Sequence, residues 1–125
     1  ETVAALARVG LADLAAQTAG TLAYGHQRLL EIAMGLALQP RLLILDEPTQ
    51  GLANAETESF KSLIQSLIPQ TTVLLIEHNM DVVMDLADRI TVMNYGKVLA
   101  QGAPAEIRGS AAVQAAYLGA DYAAD

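Results

Sequence analysis

The amino-acid sequence predicts an α/β fold with a mainly parallel sheet flanked by helices, followed by a β-hairpin and short helices. Two apolar runs support this prediction, because 42–46 and 71–76 are each of strand length and each follows a segment with helical periodicity. Such continuous apolar runs are typical of parallel strands covered on both faces. Two further apolar segments, 90–93 and 98–100, flank Asn-Tyr-Gly-Lys, where Gly96 suits the positive φ of a hairpin turn.

The first forty residues are predicted to be helical, with one polar linker. Gly10 splits the Ala- and Leu-rich segment 1–16 into two short helices, and 17–21 is the linker. From 27 to 38, apolar residues recur at the spacing of one helix face, and Pro40 follows as a stop signal. This helix therefore leads directly into the first strand.

Capping residues predict where the later helices begin. Asn54 is a candidate N-cap for a helix whose apolar residues follow the i, i+3, i+4, i+7 rule. Asn79 can cap a short helix over 80–88. Pro104 suits the first turn of the next helix, and Ser110 can cap the last one.

Composition and charge argue against several classes of protein. The chain has 125 residues, 53% of them hydrophobic, which is enough for one domain with a buried core. Seven Lys and Arg against 14 Asp and Glu give a net charge of -7, which disfavours nucleic acid as a partner. There is no cysteine, so disulfides and thiolate metal sites are excluded, and a cytoplasmic setting is the default. The apolar stretches are shorter than the roughly 20 residues that a membrane-spanning helix needs.

The acidic pair Asp46-Glu47 closes the first predicted strand and is followed by Pro48, which cannot donate to a sheet ladder. Ligand crevices in open α/β sheets lie outside the carboxyl ends of the strands, so these carboxylates are placed to meet a cation or a water nucleophile. A second interpretation, in which the pair only caps the next helix, remains open at this point. The second strand also ends in polar residues, Glu77 and His78, and both strands therefore aim polar groups at the same edge.

Four features, taken in order, resemble the second half of the ATP-binding subunit of ABC transporters. They are Leu-Ala-Tyr-Gly-His-Gln-Arg at 22–28 opening a helix, Asp46-Glu47 after a strand, Gln-Gly-Leu-Ala at 50–53, and His78 after another strand. The resemblance covers about residues 1–119. The final stretch is similar to the subunits that energise branched-chain amino-acid uptake in bacteria.

This resemblance implies the C-terminal part of a P-loop ATPase domain. Residues 1–26 would form the end of a helical subdomain and the signature loop, and 27–119 would form the C-terminal part of the α/β ATPase core. Residues 120–125 would be a tail.

The resemblance implies a nucleotide contact for Ala23, Tyr24, Gly25, His26 and Gln27. In the family this segment faces the γ-phosphate of ATP held by the opposite subunit, and free N–H groups at a helix start favour anions. The family pattern has serine at Ala23, glycine at Tyr24 and glutamine at His26, so the contact would depend more on the Gly25 backbone. For His26, a phosphate contact and a solvated first-turn position both remain open.

The resemblance also implies roles for residues beyond the two strands. Asp46 matches the Walker B aspartate, which orients Mg²⁺, usually through water. Glu47 matches the carboxylate that polarises the attacking water, and His78 matches the switch histidine near the γ-phosphate. The resemblance further implies that Leu52 and Ala53 are nucleotide-binding positions in the loop that crosses the dimer interface, where Ala53 replaces the usual aspartate.

No G-x-x-x-x-G-K-[ST] loop occurs in the sequence, so the chain holds no complete ATP half-site. We therefore expect it to be the C-terminal part of a longer subunit that hydrolyses ATP with Mg²⁺ and drives solute import, by resemblance of branched-chain amino acids. The expected partners are a second ATP-binding subunit in a head-to-tail dimer and a transmembrane permease. The expected location is cytoplasmic, on the inner face of the cell membrane.

On its own, the chain is expected to be inactive and to bind neither ATP nor Mg²⁺ tightly. The alternative function is a non-catalytic interaction module that self-associates or docks on a partner, because an unpaired apolar strand edge invites pairing with another chain. An ABC-type ATPase of DNA repair is a third interpretation, but the sequence shows neither the heptads nor the basic surface that it would need.

Overall fold

The computed structural model describes residues 1–118, which alternate between helices and strands as predicted. The helices are α1 (Thr2–Arg8), α2 (Tyr24–Ala37), α3 (Asn54–Leu67), α4 (Met80–Leu86), α5 (Pro104–Arg108) and α6 (Ala111–Val113). The strands are β1 (Leu42–Asp46), β2 (Thr72–Ile76), β3 (Ile90–Asn94) and β4 (Lys97–Gly102). Short 3-10 turns occupy Ala12–Leu14 and Ala19–Thr21, and a π-helical turn occupies Gln114–Leu118. The tail predicted at 120–125 lies outside the described residues.

The chain divides into two compact units, the first from Glu1 to Val82 and the second from Val83 onward. The first holds α1, α2, β1, α3 and β2, and the second holds β3, β4, α5 and α6. None of the helices in the described part of the chain is long and apolar enough to cross a membrane.

The core of the first unit forms along one face of α2 and one face of α3. Their buried side chains recur at helical spacing: Leu29, Ile32, Ala33 and Leu36 on α2, and Phe60, Leu63, Ile64 and Leu67 on α3. The helix α2 begins three residues before the predicted start at Gln27. The left-handed Gln39 (φ 51°) and then Pro40 follow its end, which agrees with the predicted stop.

The strands β1 and β2 pair in parallel, with Leu42 opposite Thr72 and Asp46 opposite Ile76. The prediction of strands covered on both faces is wrong for the described residues. Leu43 is 8% exposed, but Ile44 beside it is 58% exposed. Alternate side chains of a pleated strand point to opposite faces of the sheet. Within this chain, other residues cover only one of those faces. The exposed apolar face consists of Leu42, Ile44, Leu74 and Ile76.

The start of α3 corrects another prediction. Ala53, and not Asn54, is the N-cap residue, because Ala53 is extended (φ -70°, ψ 163°) while its carbonyl oxygen accepts the first helical bond from Thr57 N. Alanine has no side-chain acceptor, and the capping contact comes instead from Glu56, whose Oε2 accepts from Ala53 N at 2.9 Å.

Two other predicted caps are confirmed. Asn79 Oδ1 accepts from Val82 N at 3.3 Å at the start of α4, and Ser110 Oγ accepts from Val113 N at 3.4 Å at the start of α6. Pro104 occupies the first turn of α5, also as predicted.

The second unit is built on the predicted hairpin. The strands β3 and β4 pair antiparallel, and Tyr95 and Gly96 between them both have positive φ, 48° and 74°. Two central residues with positive φ are the signature of a type I′ turn. The core below the hairpin consists of Ile90, Val92, Ile107 and Val113.

We predict that Gly96→Ala destabilises the chain by about 1–2 kcal/mol, because this is what the left-handed region costs an alanine. A Cβ at Gly96 would meet no atom within 4 Å, so the penalty is purely conformational. Gly109→Ala is the matched control, since Gly109 lies in the same unit with φ -81° and a nearest Cβ contact of 3.5 Å. The measurement is the free energy of unfolding in urea, and equal values for the two variants would contradict the prediction.

Candidate functional site

The parallel sheet brings Glu47 and His78 together at its carboxyl edge. Glu47 N donates to Ile76 O at 2.7 Å and so extends the ladder one residue past β1. His78 Nδ1 lies 3.2 Å from Glu47 Oε1. The side chains of His78 and Glu47 are 67% and 43% exposed, so this acid and imidazole pair is open to solvent. The pair can accept, hold or donate a proton at the rim of the sheet.

Asp46 is the last residue of β1, one residue before this pair. Its exposed side chain lines a shallow cleft of about 290 Å³ beside β1. Arg28, Glu31 and Ile32 of α2 line the same cleft. The three residues on which the sequence interpretation depended, Asp46, Glu47 and His78, thus all lie at the same end of the sheet.

Glu47 takes a backbone conformation that is unusual for a residue with a side chain, with φ 46°. Its carbonyl oxygen accepts from Arg28 Nη2 at 3.2 Å and from Gln50 N at 3.2 Å. Arg28 is itself fixed, because Nη1 contacts Glu31 Oε2 at 2.9 Å and the guanidinium lies 5.9 Å from the centre of the Tyr24 ring. The helix α2 therefore holds the turn that follows β1.

The start of α2 also contacts the loop at 50–53. The Tyr24 hydroxyl donates to Gln50 O at 3.2 Å. Gly51 has φ 78°, and a Cβ there would lie 2.9 Å from Tyr24 Cε1, so both backbone and space require glycine. Leu52 is half-buried, and its N–H donates to Thr49 O at 3.1 Å.

Gly25 is buried against α3. A Cβ added at Gly25 would overlap the carboxylate of Glu56, the side chain that accepts from Ala53 N. The structure thus gives Gly25 a packing role within this chain. That role is separate from the phosphate contact that the resemblance implies.

The remaining predicted residues lie around the start of α2. Ala23 is the exposed N-cap, and its carbonyl oxygen accepts from Gln27 N at 3.0 Å. Gln27 Nε2 donates back to Leu22 O at 3.1 Å, so its side chain is used locally. His26 lines a separate depression of about 560 Å³ with Arg8 and three serines of α3. The structure does not bring His26 into contact with Glu47 or His78.

Two residues contribute to this site without a role predicted from the sequence. Arg28 lies in the segment 22–28, but the sequence predicts no role for it, because its contact to the Glu47 carbonyl depends on a backbone conformation that no pattern predicts. Glu77 was noted only as polar. Its side chain is 1% exposed and accepts from Thr49 N and Thr49 Oγ1. The one signal available was its position directly after an apolar strand.

Comparisons with known proteins identify the family of this chain. Residues 1–50 match the family model described as ABC transporter, and residues 97–123 match the model described as branched-chain amino acid ATP-binding cassette transporter. The fold is similar to a solved ATP-binding cassette of an ABC transporter, with a TM-score of 0.85 and 28% identity. That match covers 94% of this chain and 49% of the solved chain. The chain belongs to the ABC transporter family of ATP-binding proteins.

Within this family, the chain is similar to branched-chain amino acid transport proteins. It is 50% identical over 116 residues to the high-affinity branched-chain amino acid transport ATP-binding protein BraF of Pseudomonas aeruginosa. It is 49% identical over 116 residues to the corresponding protein LivG of Escherichia coli K12. Each match covers 91% of this chain and 46% of the relative. The chain therefore spans about half the length of the curated relatives that it matches.

We predict that the effect of Gly25→Ala depends on Glu56. With Glu56 present, the new Cβ displaces the carboxylate and destabilises the chain by about 0.5–2 kcal/mol, the value of a lost helix cap. In a Glu56→Ala background, the same change is neutral or stabilising, because alanine favours helix over glycine by about 1 kcal/mol. The measurement is a double-mutant cycle of unfolding free energies. Additive effects would show that the two residues do not interact.

Proposed function

We propose that this chain is the C-terminal part of an ATP-binding subunit whose whole protein hydrolyses ATP to drive import of branched-chain amino acids. The observation that supports this function best is the contact of Glu47 with His78 at 3.2 Å, directly beyond Asp46, on a chain of this family. The similarity to BraF and LivG supports the solute class.

The donor set of the site fits Mg²⁺. Among the described residues there is no group of three or more His, Asp or Glu side chains arranged to hold a metal ion. One carboxylate, here that of Asp46, suits an ion that keeps several waters and shares its other ligands with phosphate. Bound Mg²⁺ supplies charge compensation for phosphoryl transfer. Asp46 is the residue that we assign to the ion.

The chain's own residues then have distinct roles. Glu47 orients the attacking water and takes up its proton, which is the role of a general base. With Glu47 ionised as the base, His78 donates to it from Nδ1, and the doubly protonated ring could also donate from Nε2 to a phosphate oxygen. Catalysis at such a site comes mainly from positioning, and the fixed backbone around Glu47 supports that role.

The segment Ala23–Gln27 and the residues Leu52 and Ala53 are proposed to face a second ATP-binding subunit in a head-to-tail dimer. N–H groups at the start of a helix as long as α2 favour a phosphate from that subunit. A transmembrane permease is the other proposed partner, which places the whole protein on the inner face of the cell membrane. Alone, the chain is proposed to be inactive, because its sequence has no P-loop lysine motif.

We predict that Glu47→Gln, introduced into the whole protein, lowers the ATP turnover number by about 100-fold or more, the usual contribution of a general base. Binding of Mg-ATP is expected to remain, because glutamine keeps the shape and the hydrogen bonds of the side chain. The measurements are phosphate release and nucleotide binding by calorimetry.

The control for this prediction is Glu58→Gln, a change on α3. The Glu58 side chain is 70% exposed, and the ion pair described for it is with Lys61. Glu58→Gln should turn over ATP at the wild-type rate. Wild-type turnover in Glu47→Gln would refute the role proposed for Glu47.

A specific observation favours a second function, self-association of this chain. The exposed apolar face extends across β1 and β2, and Ile44 lies directly opposite Leu74 in the register. Contiguous apolar patches of this kind are rarely left bare on soluble monomers. A second copy could cover the face, as expected for an interaction module.

We predict that the chain shows concentration-dependent association that Ile44→Lys abolishes, because a lysine there places a charge in the centre of the apolar face. Val3→Lys is the control, since Val3 is similarly exposed (64%) but lies on α1. The measurement is sedimentation velocity over a wide range of concentrations. A monomer at every concentration would exclude this function.

A further inference from the structure

Glu77 is a buried carboxylate in an exposed part of the site. Its side chain is 1% exposed, whereas the side chain of the adjacent His78 is 67% exposed. Burying a charged carboxylate is unfavourable unless hydrogen bonds replace its water. The surroundings of Glu77 must therefore supply donors to both of its oxygens.

Three N–H and O–H groups do so. Glu77 Oε2 accepts from Thr49 N at 3.2 Å and from Thr49 Oγ1 at 2.5 Å, and Glu77 Oε1 accepts from His78 N at 3.2 Å. Thr49 is itself only 6% exposed. Hydrogen bonds to an ionised acceptor are shorter and stronger than neutral ones, and partial burial protects the two bonds from Thr49 against competition by water.

The two bonds from Thr49 join the two segments that carry the reacting side chains. Thr49 is two residues beyond Glu47, and His78 directly follows Glu77. Both side chains of the Glu47–His78 pair are exposed to solvent. Exposed pairs of this kind contribute little to the stability of a local geometry. The part-buried bonds between Thr49 and Glu77 are the stronger link between the two segments.

We propose that Glu77 is a positioning residue, whose carboxylate ties the turn after Glu47 to the end of β2 and so sets the distance between Glu47 and His78. Its effect on ATP hydrolysis rests on the proposed function. Its effect on the structure of the turn does not.

The substitution Glu77→Gln replaces the carboxylate by an amide, which cannot reproduce this arrangement. An amide offers one oxygen and one NH₂ group, whereas Thr49 and His78 N each require an acceptor. The NH₂ group of the amide must then face an N–H group, either that of Thr49 or that of His78, and two donors cannot form a hydrogen bond. Thr49→Val removes the hydroxyl at nearly constant shape, and Thr49→Ser keeps the hydroxyl, so the pair separates hydrogen bonding from packing.

The test is steady-state ATP hydrolysis by the whole protein. Glu77→Gln and Thr49→Val are each expected to lower kcat by about 10-fold to 100-fold, because small displacements of reacting groups have effects of this size. KM for ATP should stay within about twofold, since positioning of Glu47 affects the chemical step and not binding. Thr49→Ser should restore the wild-type kcat.

Thr71→Val is the matched control for this experiment. Thr71 is nearly as buried as Thr49 (8% and 6% exposed) and its hydroxyl donates to Pro40 O, but it lies directly before the amino end of β2. This variant should lose stability without losing kcat. The proposal is overturned if Glu77→Gln and Thr49→Val behave in the same way, or if Thr49→Ser is as impaired as Thr49→Val.

A second readout separates this proposal from the proposed function. Hydrogen exchange at the Thr49 amide, measured by NMR on this chain, should be at least about tenfold faster in Glu77→Gln, while the ladder amide of Leu45 keeps its wild-type rate. If the wild-type whole protein hydrolyses no ATP, the proposed function fails and the exchange result alone decides the positioning role. Unchanged exchange at Thr49 would overturn it.

Discussion

The parallel register of β1 and β2 is the constraint on which the whole candidate site depends. Asp46 lies opposite Ile76, and the ladder ends one step later where Glu47 N donates to Ile76 O. The next residues of both strands must then emerge side by side. A slip of one residue would turn every side chain of the slipped strand to the other face, and it would separate Glu47 from His78.

The left-handed conformation of Glu47 is the second requirement, and the surrounding structure maintains it. Residues with side chains adopt this region rarely, and such strain persists at functional sites only where neighbours determine it. Arg28 and Gln50 both donate to the Glu47 carbonyl oxygen, and Pro48 behind it is buried. The direction of the Glu47 side chain is thus set by its backbone, before any contact with His78 is made.

Local patterns predicted the parts of the fold that depend on local physics. The ends of β1 and β2, the positive φ of Gly96 and the cap at Asn79 each follow from a few adjacent residues. The cap at Asn54 was wrong because a glutamate three residues beyond Ala53 supplies the contact from inside the helix. The exposure of Ile44 was not predictable, because an apolar run does not show whether the rest of the chain covers one face of the strand or both. The tie between Glu77 and Thr49 spans 28 residues of sequence, and only the strand register brings them together.

The exposed face of the sheet carries the apolar surface and the acidic residue on the same side. Side chains alternate along β1, so Leu42, Ile44 and Asp46 share one face, and all three are exposed. Along β1 this face is apolar at Leu42 and Ile44 and acidic at Asp46, which lies opposite the exposed apolar Ile76 of β2. A polypeptide that covers the apolar part, whether it is another segment of the whole protein or a second copy, therefore comes close to Asp46. Covering this face removes water from one side of the Asp46 carboxylate, which strengthens any electrostatic contact that it makes. Burial of the sheet and completion of the acidic site are for this reason coupled, and a residue that stabilises one is expected to affect the other.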